Sequence, residues 1–262
     1  MRVLLTNDDG IHAAGLMALY QELKTDFDLD IVAPDTEMSA VGHAITLNSP
    51  LRVQAVHKNG TFFGYAVKGT PADCVKIAVQ ELMKRPPGII LSGINLGANV
   101  GVNVLYSGTV SAATEGAFLG IRSAAISLDT RQNPDFRFAA HFSREIVRFI
   151  MERGLRGRTA LNVNIPAVSV DKIAGVSITR QGVGRFRERF ERRIDPRGNV
   201  YYWLAGETPV EEGIPDADAK ALKEHKITIT PISYDLTCAE EIDRLRTCPL
   251  PEYRHLGGRD ET

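Results

Sequence analysis

The stretch RVLLTNDDG, residues 2–10, joins an apolar run to a polar turn. Every residue from Val3 to Leu5 is apolar, which is typical of a parallel strand buried on both faces. Two carboxylates follow at Asp8 and Asp9, and Gly10 permits a sharp turn. Because consecutive strand residues point to opposite faces, these neighbours can face one ion only where the chain leaves the strand. The stretch therefore predicts a buried strand whose exit carries two negative charges.

Strand and helix signals alternate along the first two-thirds of the chain. This alternation predicts right-handed crossovers and an α/β fold with a mainly parallel sheet. One helix is expected to begin at Thr70, whose side chain can cap it, with Pro71 and Asp73 in its first turn. The predicted strands cover residues 3–6, 29–33, 89–91, 124–128 and 161–165, and the predicted helices cover 13–23, about 70–82, a segment from about 110, and 135–153.

The pattern changes after Pro166. Residues 176–180 and 200–204 have strand character, and between them charged residues surround Phe186, Phe190 and Ile194. This segment is predicted to be either a protruding arm that packs on another subunit or a solvated hairpin tip. The predicted organisation is a core at residues 1–166 and a C-terminal extension at 167–262, with a hairpin arm at about 176–204, a helix near 216–225, a strand at 226–230 and a helix near 239–246.

Composition and net charge limit the kinds of partner that the chain is expected to bind. The chain has 262 residues, 44% hydrophobic and 24% charged, which is ordinary for a folded protein. Its formal net charge of -1 gives no global field that would attract nucleic acid or an anionic membrane. No membrane span or leader peptide is expected. Three unpaired cysteine positions favour a reducing, cytoplasmic location.

Polar side chains stand at three predicted strand exits. Asp8 and Asp9 follow the first strand, Ser39 lies in the loop after the second, and Asn95 follows the strand at 89–91. In an open parallel sheet, ligands gather at this carboxyl edge. The four side chains offer only hard oxygen ligands, which favours Mg²⁺ or Mn²⁺ over Zn²⁺. For Asp-Asp-Gly alone, a turn with two solvated acids remains an equal alternative.

The segment Ser107-Gly108-Thr109 directly precedes a predicted helix. Backbone amides at a helix start, two hydroxyls and a glycine can hold a phosphate, although a plain Ser/Thr cap explains the same residues. A hard-metal cluster and an anion site at one sheet edge together indicate metal-assisted phosphoryl chemistry. His43 is either a general acid or an ordinary loop histidine. The glycines at 93, 97 and 101 match neither the dinucleotide-binding nor the P-loop spacing.

Four blocks, in this order and spacing, resemble one known family. LLTNDDGI, GTPADCVKIA, LSGINLGANVG and YSGTVSAATEG closely resemble the survival protein SurE family of 5′-nucleotidases, and the match extends from Met1 to about Leu128. The resemblance implies a Rossmann-like sheet with helices on both faces and a C-terminal extension that mediates dimers or tetramers. It also implies a phosphatase that acts on nucleoside 5′-monophosphates, often on 3′-monophosphates, and in some members on polyphosphate.

The resemblance also assigns residues. It implies one divalent ion, Mg²⁺ or Mn²⁺, per subunit, with Asp8 and Asp9 as the catalytic residues; the metal ligands would be Asp8, Asp9, Ser39 and Asn95, and the phosphate contacts Asn99, Ser107, Gly108 and Thr109. The chain departs from the family pattern at Ala40, His43 and Ser111, which affects the expected substrate preference more than activity. Two further functions are open: a nucleotide or phosphate sensor without turnover, and an assembly protein with a vestigial pocket.

Overall fold

A computed structural model of the chain describes residues 1–183, 186–209 and 214–251. Nine strands form one sheet in the order β3-β4-β2-β1-β5-β6-β7-β11-β8, and two more form a separate hairpin. The strands of the sheet are β1 (Arg2–Thr6), β2 (Asp28–Pro34), β3 (Arg52–Lys58), β4 (Thr61–Lys68), β5 (Ile89–Leu96), β6 (Arg122–Asp129), β7 (Ala160–Pro166), β8 (Val176–Ile178) and β11 (Ile227–Ile232); the hairpin consists of β9 (Phe186–Ile194) and β10 (Val200–Pro209).

Helices cover both faces of the sheet, as the sequence predicts. Successive residues of β1 divide between two cores: Val3 and Leu5 pack with α1 and α4, whereas Leu4 packs with α2 and α3. Since both faces of β1 are buried, its run of apolar residues follows directly from the architecture. The helices are α1 (Ala14–Leu23), α2 (Pro71–Ile77), α3 (Gly108–Phe118), α4 (Arg137–Arg153), α5 (Asp218–Lys223) and α6 (Ala239–Arg246).

The strand order places the candidate site. β1 pairs in parallel with β2 on one side and with β5 on the other, so the chain changes direction of winding at β1. Thr6 at the end of β1 is opposite Ser92 of β5. The carboxyl ends of these strands therefore meet at the position where open α/β sheets bind ligands.

Two parts of the fold before residue 166 differ from the prediction. β3 and β4 form an antiparallel pair at the edge of the sheet, a region for which the sequence predicted no strands. α2 has the predicted Thr70 cap and then continues as a π-helical turn over Ala78–Leu82. Neither difference moves the carboxyl edge at β1 and β5.

The C-terminal part contributes to the main sheet and to the hairpin. β11 pairs antiparallel with β7, and β8 pairs in parallel with β11, so the segment predicted as the first arm strand belongs to the main sheet. The hairpin consists instead of β9 and β10. The proposed domain boundary at residue 166 stays a prediction. None of the helices within the described ranges is long and apolar enough to cross a membrane.

The β9–β10 hairpin has one apolar face. Antiparallel partners in register point to the same side of the pair, so Phe190 and Leu204, Ile194 and Val200, and Tyr202 with Arg192 share one face, whereas Tyr201 and Trp203 lie on the other face opposite the charged residues Arg193 and Glu191. All of these apolar residues are exposed in the single chain, with Tyr202 61% exposed. The residues of this face, called the hairpin face below, are Phe190, Ile194, Val200, Tyr202 and Leu204.

Candidate active site

The turn after β1 is built by Asn7 and Gly10. The Asn7 Nδ2 donates to the Gly10 carbonyl at 2.9 Å, and Gly10 has a φ of +96°, which favours glycine. The Ile11 amide then donates to the Pro34 carbonyl at 2.9 Å, which joins this turn to the end of β2. The predicted departure from the strand at Asp8 and Asp9 is thus confirmed.

The loop that carries Ser39 lies against the same turn. The Met38 amide donates to the Asp8 carbonyl at 2.7 Å, so the residue next to Ser39 contacts the first acid through the backbone. Ser39 itself is exposed, and its hydroxyl donates to Glu37 Oε1 at 2.7 Å. A hydroxyl that donates outward keeps its oxygen lone pairs available as a ligand. The sequence reasoning missed Glu37, although it lies only two residues before Ser39.

Asn95 lies near the carboxyl end of β5, the strand next to β1. The pairing of β5 with β6 is irregular between Ser92 and Asn95, which changes the direction of the strand there. The Asn95 Nδ2 donates to the Gly97 carbonyl at 2.8 Å. Because the amide nitrogen is engaged, the side-chain oxygen is the atom left for a cation.

The start of α3 contacts Asp8 directly. The Thr109 hydroxyl donates to Asp8 Oδ1 across 101 residues of sequence. A Cβ on Gly108 would lie 2.7 Å from the Asp8 Cβ, so only glycine allows the helix to approach this closely. Ser107 caps the helix, since its Oγ accepts from the Val110 amide at 3.1 Å. The acid pair and the predicted phosphate segment therefore form one site.

The electrostatics of the acid pair are unfavourable in the protein alone. Burial is the main cause that raises the pKa of Asp9 to about 7, and the negative charges of Asp8 and Glu37 add to it. Burial likewise raises the pKa of Asp8 above its usual value, although the Thr109 hydroxyl and amide oppose that change. Among the described residues, no Lys, Arg or His contributes to either shift. Within the part of the chain that the structure describes, neither Asp8 nor Asp9 has a positively charged partner.

One oxygen at the turn is also unsatisfied. The side-chain oxygen of Asn7 is buried and has no hydrogen-bond partner among the described residues. A buried acceptor without a donor costs about 1–3 kcal/mol. Asn7 therefore adds an unpaired oxygen next to two carboxylates that lack a positive charge.

Asn99 is held by the two strands beyond β5. Its Nδ2 donates to Ser127 Oγ at 2.9 Å, and its backbone amide donates to Asn164 Oδ1 at 2.7 Å. Its carbonyl accepts from Asn162 Nδ2 at 2.7 Å and from Asn164 Nδ2 at 3.1 Å. These asparagines were not predicted, although N-x-N inside an apolar strand was a visible signal. They fix the loop between β5 and α3, and a phosphate contact by Asn99 stays a prediction.

The same loop is tied to the C-terminal part of the chain. The Gly101 amide donates to the buried Asp218 carboxylate at 3.1 Å, and the Gly101 carbonyl accepts from Gln181 Nε2 at 2.9 Å. Asp218 also accepts from the Gly182 amide at 3.0 Å. Residues before and after the hairpin in the sequence therefore bind Gly101, which lies in the loop between β5 and α3.

His43 was considered as a general acid. Its Nε2 lies 2.8 Å from Glu115 Oε2, and its ring stacks on Phe118, with 5.1 Å between the centroids. Both partners belong to α3, up to three turns beyond Thr109. The histidine is thus bonded to the helix whose first turn contacts Asp8.

Other parts of the described chain offer no competing metal site. No group of three His, Cys, Asp or Glu side chains among residues 1–183, 186–209 and 214–251 is arranged to hold a metal. A cleft of about 650 Å³ lies near the amino end of β7, where the Arg158 guanidinium donates to the Tyr234 hydroxyl at 2.8 Å. That end of the parallel strands is opposite to the carboxyl edge, so the cleft is separate from the acid pair.

Comparison with known proteins places the chain in one family. The family model for survival protein SurE matches residues 3–188. The chain is 58% identical to the 5′-nucleotidase SurE of Syntrophus aciditrophicus over 247 residues, which cover 94% of this chain and 93% of that protein. It is 54% identical to the 5′-nucleotidase SurE of Syntrophobacter fumaroxidans, over 94% of this chain and 98% of that protein.

A solved structure gives the same result. The crystal structure of SurE protein from Aquifex aeolicus superposes with a TM-score of 0.79 at 37% identity, and the match covers 94% of this chain and 100% of that one. The family model, the relatives and the fold agree, and the chain belongs to the survival protein SurE family.

Proposed function

We propose that the chain is a divalent-metal-dependent phosphomonoesterase that hydrolyses nucleoside 5′-monophosphates to nucleoside and phosphate. The bond from Thr109 to Asp8 carries the proposal, because it joins the predicted metal ligands to the predicted phosphate segment. The relatives named 5′-nucleotidase SurE support the substrate class. Nucleoside 3′-monophosphates and short polyphosphate are further candidate substrates.

The residues at the site fit a hard cation. Asp8 and Asp9 have raised pKa values without a positive partner, and the side-chain oxygen of Asn7 is buried and unpaired. The donors are carboxylate, hydroxyl and amide oxygens, which suit Mg²⁺ or Mn²⁺. We infer one such ion per subunit, held by Asp8, Asp9, Ser39 and Asn95.

The protein's own groups then have distinct tasks. When bound, the cation would supply positive charge that polarises the phosphoryl oxygens. Ser107 and the Gly108 amide at the start of α3 would donate to the phosphate. Thr109 would act through Asp8, because its hydroxyl is already bonded there. Asp8 or Asp9 would orient and deprotonate the attacking water, or one of them would attack phosphorus itself.

Assembly and location belong to the same proposal. The hairpin face leaves apolar residues exposed on a single chain, and we infer that a second copy covers it, which gives a homodimer or homotetramer. A cytoplasmic location is supported by the three cysteines, since Cys74 is a free buried thiol and Cys238 and Cys248 are also free.

A phosphate-release panel tests the proposal. Purified protein is incubated with nucleoside 5′- and 3′-monophosphates and short polyphosphate, with Mg²⁺ or Mn²⁺ and with a chelator as control. We expect release from 5′-monophosphates that stops with chelator. Binding of nucleotide without release under every metal would favour the sensor instead. A rapidly quenched single turnover with substrate labelled in its phosphate distinguishes the two attacks, because labelled phosphate bound to the Asp8 or Asp9 carboxylate identifies an aspartyl phosphate, whereas direct attack by water leaves none on the protein.

A further inference from the structure

The segment after Ser39 packs alongside α3 and the start of α2. Ala40 and Gly42 both have left-handed backbone, with φ of +57° and +59°, so the chain turns tightly directly after Ser39. The Gly42 amide donates to the Tyr106 carbonyl at 2.9 Å. His43 lies four residues beyond Ser39, and its Nε2 contacts one buried group, the Glu115 carboxylate. The position of Ser39 therefore depends on how this segment is held.

The partner of His43 is a buried carboxylate. The Glu115 side chain is only 6% exposed, and besides His43 it accepts from Lys76 Nζ of α2 at 3.3 Å. Hydrogen bonds and charges from His43 and Lys76 together hold the pKa of Glu115 below its usual value, although burial acts in the opposite direction. A carboxylate only accepts, so the His43 Nε2 carries the proton that it donates.

The ring of His43 also packs against α3. Its ring stacks on Phe118 with an angle of 15° between the ring planes, and its Nδ1 lies 3.3 Å from Thr114 Oγ1. Both ring nitrogens and one ring face are therefore in contact with α3. The first turn of the same helix holds Asp8 through Thr109.

We propose that His43 is a positioning residue: through Glu115 it fixes the segment that follows Ser39 on α3, and so holds the Ser39 hydroxyl in place relative to Asp8. This inference rests on the proposed metal site. α3 then supports two predicted metal ligands. Thr109 contacts Asp8 directly, and Glu115 contacts His43 in the segment that follows Ser39. Next to a metal ligand, removal of such a supporting contact typically reduces metal affinity about 10–100-fold.

The test compares two substitutions of one residue. His43→Ala removes the donor, whereas His43→Gln keeps a side-chain N–H that can reach Glu115. For His43→Ala we expect about a tenfold weaker Mn²⁺ affinity in a calorimetric titration without substrate. His43→Gln should recover most of that loss. His57→Ala, on the exposed edge strand β3, is the matched control and should bind Mn²⁺ as the wild type does.

Hydrogen exchange of the metal-free protein gives a second readout. In His43→Ala, we expect faster exchange over residues 40–46 and unchanged exchange over 108–112, because the first turn of α3 keeps its own contacts. Combining His43→Ala with Glu115→Leu, which removes the acceptor oxygens, should add little further loss of Mn²⁺ affinity, since both changes remove the bond between His43 and Glu115. If the two losses add fully, His43 does not act through Glu115 and the inference is wrong.

The outcomes separate the two proposals. A wild type that binds no Mn²⁺ and releases no phosphate contradicts the proposed function. A wild type that does both, with a His43→Ala variant that melts earlier yet keeps its Mn²⁺ affinity and its exchange at 40–46, contradicts only the positioning role. Weaker Mn²⁺ binding together with faster exchange in that variant, restored by His43→Gln, supports it.

Discussion

The turn at Asp8 and the β9–β10 hairpin differ in the kind of interaction that each lacks within a single chain. At the turn, the backbone and side chains contact β2, α3 and the Ser39 loop, and what is missing is positive charge. At the hairpin, the Glu191 carboxylate has a positive partner, Arg193 Nε at 3.0 Å, and what is missing is cover for the apolar side chains. The proposed function assigns a cation to the first region and a second copy of the chain to the second. Changes at one should therefore leave the other intact.

Loss of the Asp8 charge should have the largest effect. Asp8→Asn keeps the size of the side chain and removes a predicted metal ligand, so kcat/KM for a nucleoside 5′-monophosphate should fall roughly 10³-fold or more. The oligomeric state should not change. The control is Asp171→Asn, an exposed position far along the chain. A variant that keeps activity within tenfold of the wild type would remove Asp8 from the mechanism.

A methyl group at Gly108 should have the next largest effect. Gly108→Ala places a Cβ 2.7 Å from the Asp8 Cβ, so either the helix or the acid has to shift. A displacement of about 1 Å in a reacting group can cost roughly 10²-fold in rate, and we expect kcat/KM to fall by that order. Steady-state kinetics beside a thermal melt measure this. Wild-type rates in a folded variant would show that the close approach of α3 is not needed.

The free-energy cost of ionising Asp9 should make the stability of the folded chain depend on pH. Burial raises the pKa of Asp9 to about 7 in the folded chain, well above the usual aspartate pKa of about 3.9, so its ionisation opposes folding. In chelator, this penalty is absent below about pH 4, grows as pH rises, and is complete above about pH 7. Asp9→Asn should then be more stable than the wild type at pH 8 by on the order of 1–2 kcal/mol, after allowance for solvent screening.

Denaturant unfolding at pH 4 and pH 8 checks the sign. The two proteins should have similar stability at pH 4, and Mn²⁺ at pH 8 should stabilise the wild type more than Asp9→Asn. A wild type that gains stability relative to the variant between pH 4 and pH 8 in chelator would contradict the absence of a positive partner.

The hairpin should affect activity least. Tyr202→Glu puts a charge on the hairpin face, and we expect a smaller particle in sedimentation velocity with kcat/KM within about threefold of the wild type. Tyr201 lies on the other face of the same strand, so Tyr201→Glu is the matched control and should leave the assembly unchanged. If both variants dissociate, the hairpin face is not the surface that the second copy covers.

The main strands and helices could be predicted because burial on both sheet faces leaves a local pattern. β1 has an apolar run, and α2 has a capping box at Thr70 that the structure confirms. β3 was missed because it is an edge strand whose residues are mostly half-exposed or exposed, which leaves little apolar pattern. β9 was missed because its charged residues between Arg189 and Arg193 are exposed, so no core requires an alternating apolar pattern there.

The site was predictable where its chemistry lies in consecutive residues. The turn at Asp8 and the cap at Ser107 are local, and the sequence indicates both. The bond between Thr109 and Asp8, and that between His43 and Glu115, join residues 101 and 72 positions apart. Such partners are determined by packing between elements, which a single sequence does not display.

The contacts at Gly101 also bear on how the chain tolerates change in length. Arg180 and Ala217 form a bridge, and the Asp218 amide donates to the Arg180 carbonyl at 2.9 Å, so the two ends of the segment that contains the hairpin lie side by side. A segment whose two ends are adjacent can be shortened, extended or exchanged without a change in the fold of the rest of the chain. Gln181 and Asp218 would remain to hold Gly101. In evolution or in engineering, the hairpin can therefore be rebuilt between Arg180 and Ala217 while the carboxyl edge at β1 and β5 keeps its form.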